Sequence, residues 1–253
     1  MKLSAFLAKC PGFSGFDSSA LERLAASTKA RSFARHEHLW SLGDTPRDLV
    51  IVQRGLVKVT RWTDGGSAAI ALYGPAEDVE SLTTLRGIEH SSSAVALSDE
   101  VVVVAVPRGL FLELCAERAN GQWAPAWALD RTMNVLGEWI DLLSAGTVEA
   151  RLAHLLARLN QRFGDDFDDG TARIQLSLSR SELAELAATS FEAAIRVLSR
   201  WQREGLVTTQ DGGLTLRDPA RLLALCNRDA QSIKRARPQL GPSSAGSSQR
   251  ARP

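Results

Sequence analysis

The apolar residues change their period at Pro107, and this limits the chain to a strand-built body followed by a helix-built one. Val50–Ile51–Val52, Leu56 to Trp62 and Ser67 to Tyr73 are short apolar or alternating runs, separated by Arg54–Gly55 and Asp64–Gly65–Gly66. Glycine reaches positive φ without a Cβ penalty, so the second separator is a tight-turn signal between partner strands. Ser92 to Leu97 and Glu100 to Val106 read as a further hairpin whose second strand is apolar on both faces. Short strands at this spacing predict a sandwich or barrel between Leu39 and Val106.

Beyond Pro107, Leu129, Met133, Leu136, Ile140 and Leu143 recur at spacings of four, three, four and three. That is a heptad seam. It suits a helix packing against a copy of itself, or an amphipathic helix lying on its own domain; dimerisation is the favoured reading. Trp123, Trp127 and Trp139 beside the seam suit packing or dimer contacts, or the lining of an apolar pocket. Ser144–Ala145–Gly146–Thr147 reads as a hinge. Val148 to Phe163 then predicts a second amphipathic helix with Leu152, Leu155, Leu156 and Leu159 on its buried side. Asp165 to Gly170 is an acidic connector that lacks the alternation and terminal Glu of a calcium loop. The segment from Arg228 to Pro253 carries six basic residues against one acidic, with little to bury, and is expected to be disordered.

Composition narrows the function classes. The chain has 253 residues, 44% hydrophobic and 23% charged, which suits one large domain or two ordinary ones. Thirty basic residues against 29 acidic leave a formal charge of +1, so any surface that attracts nucleic acid must be local. No apolar run approaches the roughly eighteen residues of a membrane span, and the N-terminus lacks a signal-peptide core. The expected location is the cytoplasm. Cys10, Cys115 and Cys226 are odd in number and form no CxxC pair, which excludes a disulfide scaffold and argues against structural zinc; no metal site is predicted. The chain carries no glycine-rich phosphate loop, HExxH or GxSxG, so no enzyme is predicted.

The most informative stretch is Leu176 to Leu216. Ser179–Arg180–Ser181–Glu182 fits a capping box, and Leu183, Leu186 and Ala187 give a short helix its buried side. Ala188–Thr189 is a tight turn, and Ser190 is a second N-cap. A helix from Phe191 to Glu204 follows, ending at Gly205, and Asp211–Gly212 joins two short strands. Helix, turn, helix and hairpin make a winged helix-turn-helix. Ala194, Val197, Leu198 and Trp201 pack inward, which leaves Glu192, Ile195, Arg196, Ser199, Arg200 and Arg203 outside. Glu accepts from cytosine N4, Arg donates twice to guanine, and helix N-termini with Ser and Arg suit phosphates. The plainer alternative is a surface helix with a Glu192–Arg196 pair one turn apart.

Ser190-x-Glu192-x-x-x-Arg196, continuing through Leu198–Ser199–Arg200–Trp201–Gln202–Arg203–Glu204–Gly205–Leu206, closely resembles the recognition region of CRP/FNR-type bacterial transcription regulators. Phe13–Ser14–Gly15–Phe16, Leu42–Gly43–Asp44, Gln53–Arg54–Gly55–Leu56–Val57 and Leu72–Tyr73–Gly74–Pro75 resemble landmarks of that family's cyclic-nucleotide-binding-like domain. The resemblance spans roughly Phe6 to Leu225. It implies an α+β chain: an N-terminal β jelly roll over residues 1–118, a long central dimerisation helix and hinge over 119–146, a winged helix-turn-helix over 147–226 and a basic tail over 227–253. It further implies a homodimer with double-stranded DNA and RNA polymerase as partners, governed by a small-molecule effector. DNA contacts are expected from Ser179, Arg180, Ser190, Phe191, Glu192, Ile195, Arg196, Ser199 and Arg200. The rival reading is a ligand-binding regulatory module that acts on a protein partner without touching DNA.

Two departures from the family pattern shape the expectations. In relatives of the cyclic-AMP receptor type a basic residue stands at the place of Phe191, whereas the FNR branch carries an apolar one. Glu192 and Arg196 are then expected to read a core C·G step, with Phe191 and Ile195 on a thymine methyl or simply filling space. In the sensor, the Gly-Glu of a cyclic-nucleotide site becomes Glu80–Ser81, and its Arg-Ser becomes His90–Ser91. A compact phosphate buried without a cation is costly, so cyclic AMP is not expected. Met133, Leu136 and Gly137 occupy the positions from which the central helix would touch a ligand. The cysteines do not reproduce an FNR iron–sulfur cluster. Haem stays open, with His36, His38, His90, His154 or Cys115 as axial candidates, as do an apolar or planar ligand between sensor and central helix and a ligand-independent dimer.

Overall fold

The structure is a computed structural model that describes residues 2–64, 66–117, 123–174, 178–210 and 213–226. The Asp211–Gly212 turn, the tail from residue 227 and the Trp123 side chain lie outside what it describes. Helices α1 (Leu3–Leu7) and α2 (Ser18–Ser27) come first, and Asp17 caps α2 by accepting from the Ala20 amide at 2.8 Å. Eight strands follow: β1 (Lys29–Ala34), β2 (His38–Trp40), β3 (Asp48–Arg54), β4 (Val57–Thr63), β5 (Gly66–Tyr73), β6 (Asp78–Val79), β7 (Ser93–Ala96) and β8 (Glu100–Pro107). Helix α3 (Ser81–Arg86) sits between β6 and β7.

These strands form two antiparallel sheets, ordered β1-β8-β3-β6 and β2-β7-β4-β5. The expected hairpin between Ser92–Leu97 and Glu100–Val106 is therefore corrected: β7 and β8 are consecutive but lie in opposite sheets. The doubly apolar character of β8 explains why. Val101 and Val103 point into the core between the sheets with Trp40, Val52, Val59 and Ala94, while Val104 and Val106 point outward under a helical layer. A strand buried on both faces belongs in the middle of a covered sheet. Strand β1 went unread in the sequence because its residues are almost all exposed and show no apolar alternation.

Helix α4 (Arg108–Ala116) joins α1 and α2 in that outer layer, where Phe111 meets Phe13 and Phe16 at centroid distances of 5.3 and 5.6 Å. The central helix α5 (Trp123–Ser144) runs past both sheets, and α6 (Val148–Phe163) starts after Thr147, whose hydroxyl caps the Ala150 amide. Leu129, Met133, Leu136, Ile140 and Leu143 are all exposed on α5, whereas Ala128, Val135 and Leu142 are buried. The acidic connector is itself the turn of a small hairpin, β9 (Gly164–Asp166) and β10 (Ala172–Ile174). Helices α7 (Arg180–Leu186) and α8 (Phe191–Arg203) and strands β11 (Val207–Gln210) and β12 (Gly213–Leu216) complete the second body, whose sheet is ordered β11-β12-β10-β9.

Phe111 is fully buried in the aromatic triad. Phe111→Ala is expected to lower the free energy of unfolding by about 3–5 kcal/mol in a urea titration followed by circular dichroism. A loss below about 1 kcal/mol would show that the outer layer is not packed as described.

Candidate nucleic-acid interface and sensor pocket

Local chemistry locks both ends of the two-helix unit. The Ser179 hydroxyl accepts from the Glu182 amide at 3.1 Å, and the Glu182 carboxylate accepts from the Ser179 amide at 2.7 Å, the reciprocal capping box. The turn closes through Thr189 N–H donating to the Ala184 carbonyl at 3.0 Å, with Ala188 held at φ 47°. Ser190 caps α8 through the Ala193 amide at 3.2 Å. At the far end Leu206 N–H donates to Trp201 O at 2.8 Å and Gly205 N–H to Gln202 O at 3.2 Å, a Schellman closure with Gly205 at φ 67°. Trp201, Ala194 and Leu198 are buried against Leu152, Leu155, Leu156 and Leu186, which fixes the rotation of α8.

That rotation leaves Phe191, Glu192, Arg196 and Arg200 exposed, with Ile195 and Ser199 half-buried. Among the described residues neither Glu192 nor Arg196 makes an ion pair, so the pairing alternative one turn apart is not adopted by the molecule. Arg200 differs. Its guanidinium lies 2.6 Å from Glu149 on α6 and 3.9 Å from Glu204, and the same Glu149 oxygen accepts from the Trp201 indole N–H at 3.1 Å. Arg180 donates to Gln202 Oε1 at 2.9 Å, tying the start of α7 to the end of α8. The sequence did not reveal Glu149 and Gln202 as supports, because each acts on a residue more than twenty positions away.

In the sensor, Glu80 sits at φ 49°, a left-handed conformation that favours glycine, immediately before α3. Its carboxylate accepts from the Ser92 hydroxyl at 2.6 Å and lies 3.1 Å from His90 Nδ1, and the buried His90 ring stacks on Trp40 at 4.2 Å. Ser81 is buried with its hydroxyl on Asp78, whose carboxyl is raised above the usual carboxylate range by burial. Ser91 turns away and accepts from the exposed Arg61 at 3.2 Å. The structure thus brings Glu80 and His90 together and separates Ser91 from them. Met133 and Leu136 lie on the exposed side of α5, and Gly137 has nothing within 4 Å of an added Cβ. The central-helix residue that enters the sensor core is Val135, which the heptad reading passed over.

The space between α5, α6 and Leu72, lined by Val135, Trp139 and Leu159, holds only about 20 Å3. That is room for about one water. Trp127 packs on Gly12, and Trp139 is half-buried in the second body's core. Among the haem candidates, His36 and His38 are exposed, His90 is committed to Glu80 and Trp40, Cys115 is buried in the outer layer, and His154 is half-buried on α6, where it lines a cavity with Leu216 and Leu222. No group of three or more His, Cys, Asp or Glu among the described residues is placed to hold a metal. Among the described residues no helix is long and apolar enough to cross a membrane.

Two sequence profiles match this architecture. A cyclic nucleotide-binding domain covers residues 30–118 and a Crp-like helix-turn-helix domain covers residues 150–225. The chain belongs to the CRP/FNR family of transcription regulators. A CRP-like cAMP-activated global transcriptional regulator of Mycobacterium tuberculosis is 25% identical over 221 residues, 87% of this chain and 98% of the relative. The cyclic AMP receptor protein of Thermus thermophilus is 29% identical over 214 residues, 84% and 94% of the two chains. Among solved structures, FixK2 from Bradyrhizobium japonicum superimposes with a TM-score of 0.66 at 19% identity, over 78% of this chain and 96% of its own. The family is one of DNA-binding regulators and not of enzymes, which sets aside the reading of a module acting only on protein partners.

In this CRP/FNR chain Arg196 is an exposed guanidinium of α8 that makes no ion pair among the described residues. Arg196→Ala is expected to cost about 1–3 kcal/mol on a selected site and to relax preference at one base pair of each half-site. Uniform weakening on all duplexes in a gel-shift series would reassign it to a phosphate.

Proposed function

We propose that this regulator acts as a homodimer whose two α8 helices enter successive major grooves of a near-palindromic promoter site, under a signal other than cyclic AMP. The reading rests above all on the exposed, unpaired Glu192 and Arg196, held one turn apart on a helix closed at both ends. Glu192 and Arg196 read a C·G step, and Phe191 with Ile195 meets a thymine methyl. Ser179, Arg180 and Ser190, at two helix N-termini, take phosphates. Ser199 lies one turn beyond Arg196 on the same side, while Arg200 reaches DNA only by leaving Glu149.

The apolar stripe Leu129, Met133, Leu136, Ile140 and Leu143 is the dimer seam, since a self-complementary helix face favours a two-fold pair. Two-fold symmetry in the protein is mirrored by a near-palindrome in the site. RNA polymerase is the second partner. On the sensor side, the donors nearest Glu80 are turned onto its own carboxylate, which leaves an incoming cyclic phosphate opposed by a like charge. Met133, Leu136 and Gly137 face the partner's seam, so any effector contact from them is made in the dimer.

The deciding experiment is selection from randomised duplexes by the full chain, with and without cell extract to supply an effector. Enrichment of paired half-sites about one helical turn apart is expected; no enrichment under either condition overturns the reading. The seam has its own test. Leu136→Asp with Ile140→Asp should convert dimer to monomer in sedimentation, and an unchanged profile would place the dimer contact elsewhere.

A further inference from the structure

Arg200 stands one turn beyond Arg196 on α8, about 40° further round the axis of a helix with 3.6 residues per turn. Its side chain is 44% exposed, on the flank of α8 that faces α6. When a helix lies in the major groove, its outermost positions meet base edges and its flanks meet the phosphates on either side. A guanidinium on that flank is placed to add a phosphate contact. Here it already has a counter-charge: its Nη2 lies 2.6 Å from Glu149 Oε1 on α6, and its Nε lies 3.9 Å from Glu204. Glu204 is shared, because Arg221 holds its other oxygen at 3.0 Å. Glu149 is therefore the principal partner.

The hold on Glu149 sets this pair apart from an ordinary surface ion pair. The same Oε1 accepts from the Trp201 indole N–H at 3.1 Å, and the Trp201 side chain is fully buried. A buried indole N–H left without an acceptor is costly, so the carboxylate cannot follow Arg200 outward. Glu149 also occupies the first turn of α6, where the helix dipole favours a negative charge. The carboxylate is thus fixed by the core of the DNA-binding unit, and Arg200 is the member that can leave.

We infer that Glu149 is a positioning residue that withholds Arg200 from the DNA backbone and so sets how much of the affinity comes from phosphate contacts. This rests on the DNA-reading proposal above and adds what limits the sequence-independent share of binding at that site. Phosphate contacts carry that share and its salt dependence. With Arg200 engaged by Glu149, α8 meets DNA through Glu192 and Arg196 without an added grip that every duplex would feel alike.

The full chain carries the test. Glu149→Gln keeps an oxygen for the Trp201 N–H and removes the charge that holds Arg200. It is expected to tighten binding about fivefold on the selected duplex and on a scrambled one alike, with the slope of log affinity against log salt steeper by about one. Arg200→Gln is expected to cost about twofold or less in the parent and about fivefold or more in the Glu149→Gln background. Equal costs in the two backgrounds, or unchanged affinity and salt slope in Glu149→Gln, overturn the inference. A second readout needs only the parent: on adding the selected duplex, the Nε–H resonance of Arg196 should move and that of Arg200 should not. A matching shift at Arg200 overturns the inference even if Glu149→Gln is poorly folded. Site selection by the parent with additive substitutions sinks the restraint and leaves the DNA reading standing. Unequal costs of Arg200→Gln without discrimination between duplexes leave the restraint standing and sink the base reading.

Discussion

One face of the central helix holds the molecule together. Ala128, Val135 and Leu142 are spaced seven residues apart, and each is buried in a different apolar cluster: the outer helical layer, the core between the sheets, and the core of the DNA-binding unit. Burying Val135 and Leu142 is worth about 1.5–3 kcal/mol apiece, so the helix is pinned at three heights and not draped over one domain. Its register relative to the sensor is fixed by the same contacts that position α6, and through α6 the reading helix. The exposed stripe on the other side is free to be self-complementary because the inner stripe already secures the helix.

The join between sensor and DNA-binding unit combines two kinds of contact. Leu56, Ala69, Leu72 and Leu97 of the sensor belong to the same cluster as Leu183, Ala184 and Trp201 of the second body, so apolar packing brings the surfaces together. Packing of that sort is non-directional and tolerates sliding. The ion pairs of Arg35 and Lys58 supply direction. Burial works against the Arg35 charge, yet the carboxylates of Asp99 and Glu182 outweigh it and hold its pKa above the usual arginine value.

The sensor pocket shows the same division of labour at smaller scale. Strand geometry places residue 80 in a left-handed conformation, and the side chain there is a carboxylate. That carboxylate recruits His90 and Ser92, and Trp40 closes over the imidazole. The result is an internally hydrogen-bonded polar cluster, which stiffens the loop between α3 and β7.

Much of this was legible in the chain, and for a clear reason. The capping box at Ser179, the turn at Ala188, the Ser190 cap and the Gly205 closure are set by residues within five positions of one another, so they read directly from spacing. The doubly apolar β8 likewise announced a strand covered on both faces. What tertiary structure alone decided is every pairing that depends on where the chain returns. Examples are β8 beside β3 instead of β7, Glu80 meeting His90 and Ser92, Arg200 drawn to Glu149, and Arg35 meeting Glu182 across 147 positions. Hydrogen bonds between near neighbours follow from backbone geometry; those between distant residues follow from which apolar faces find each other first.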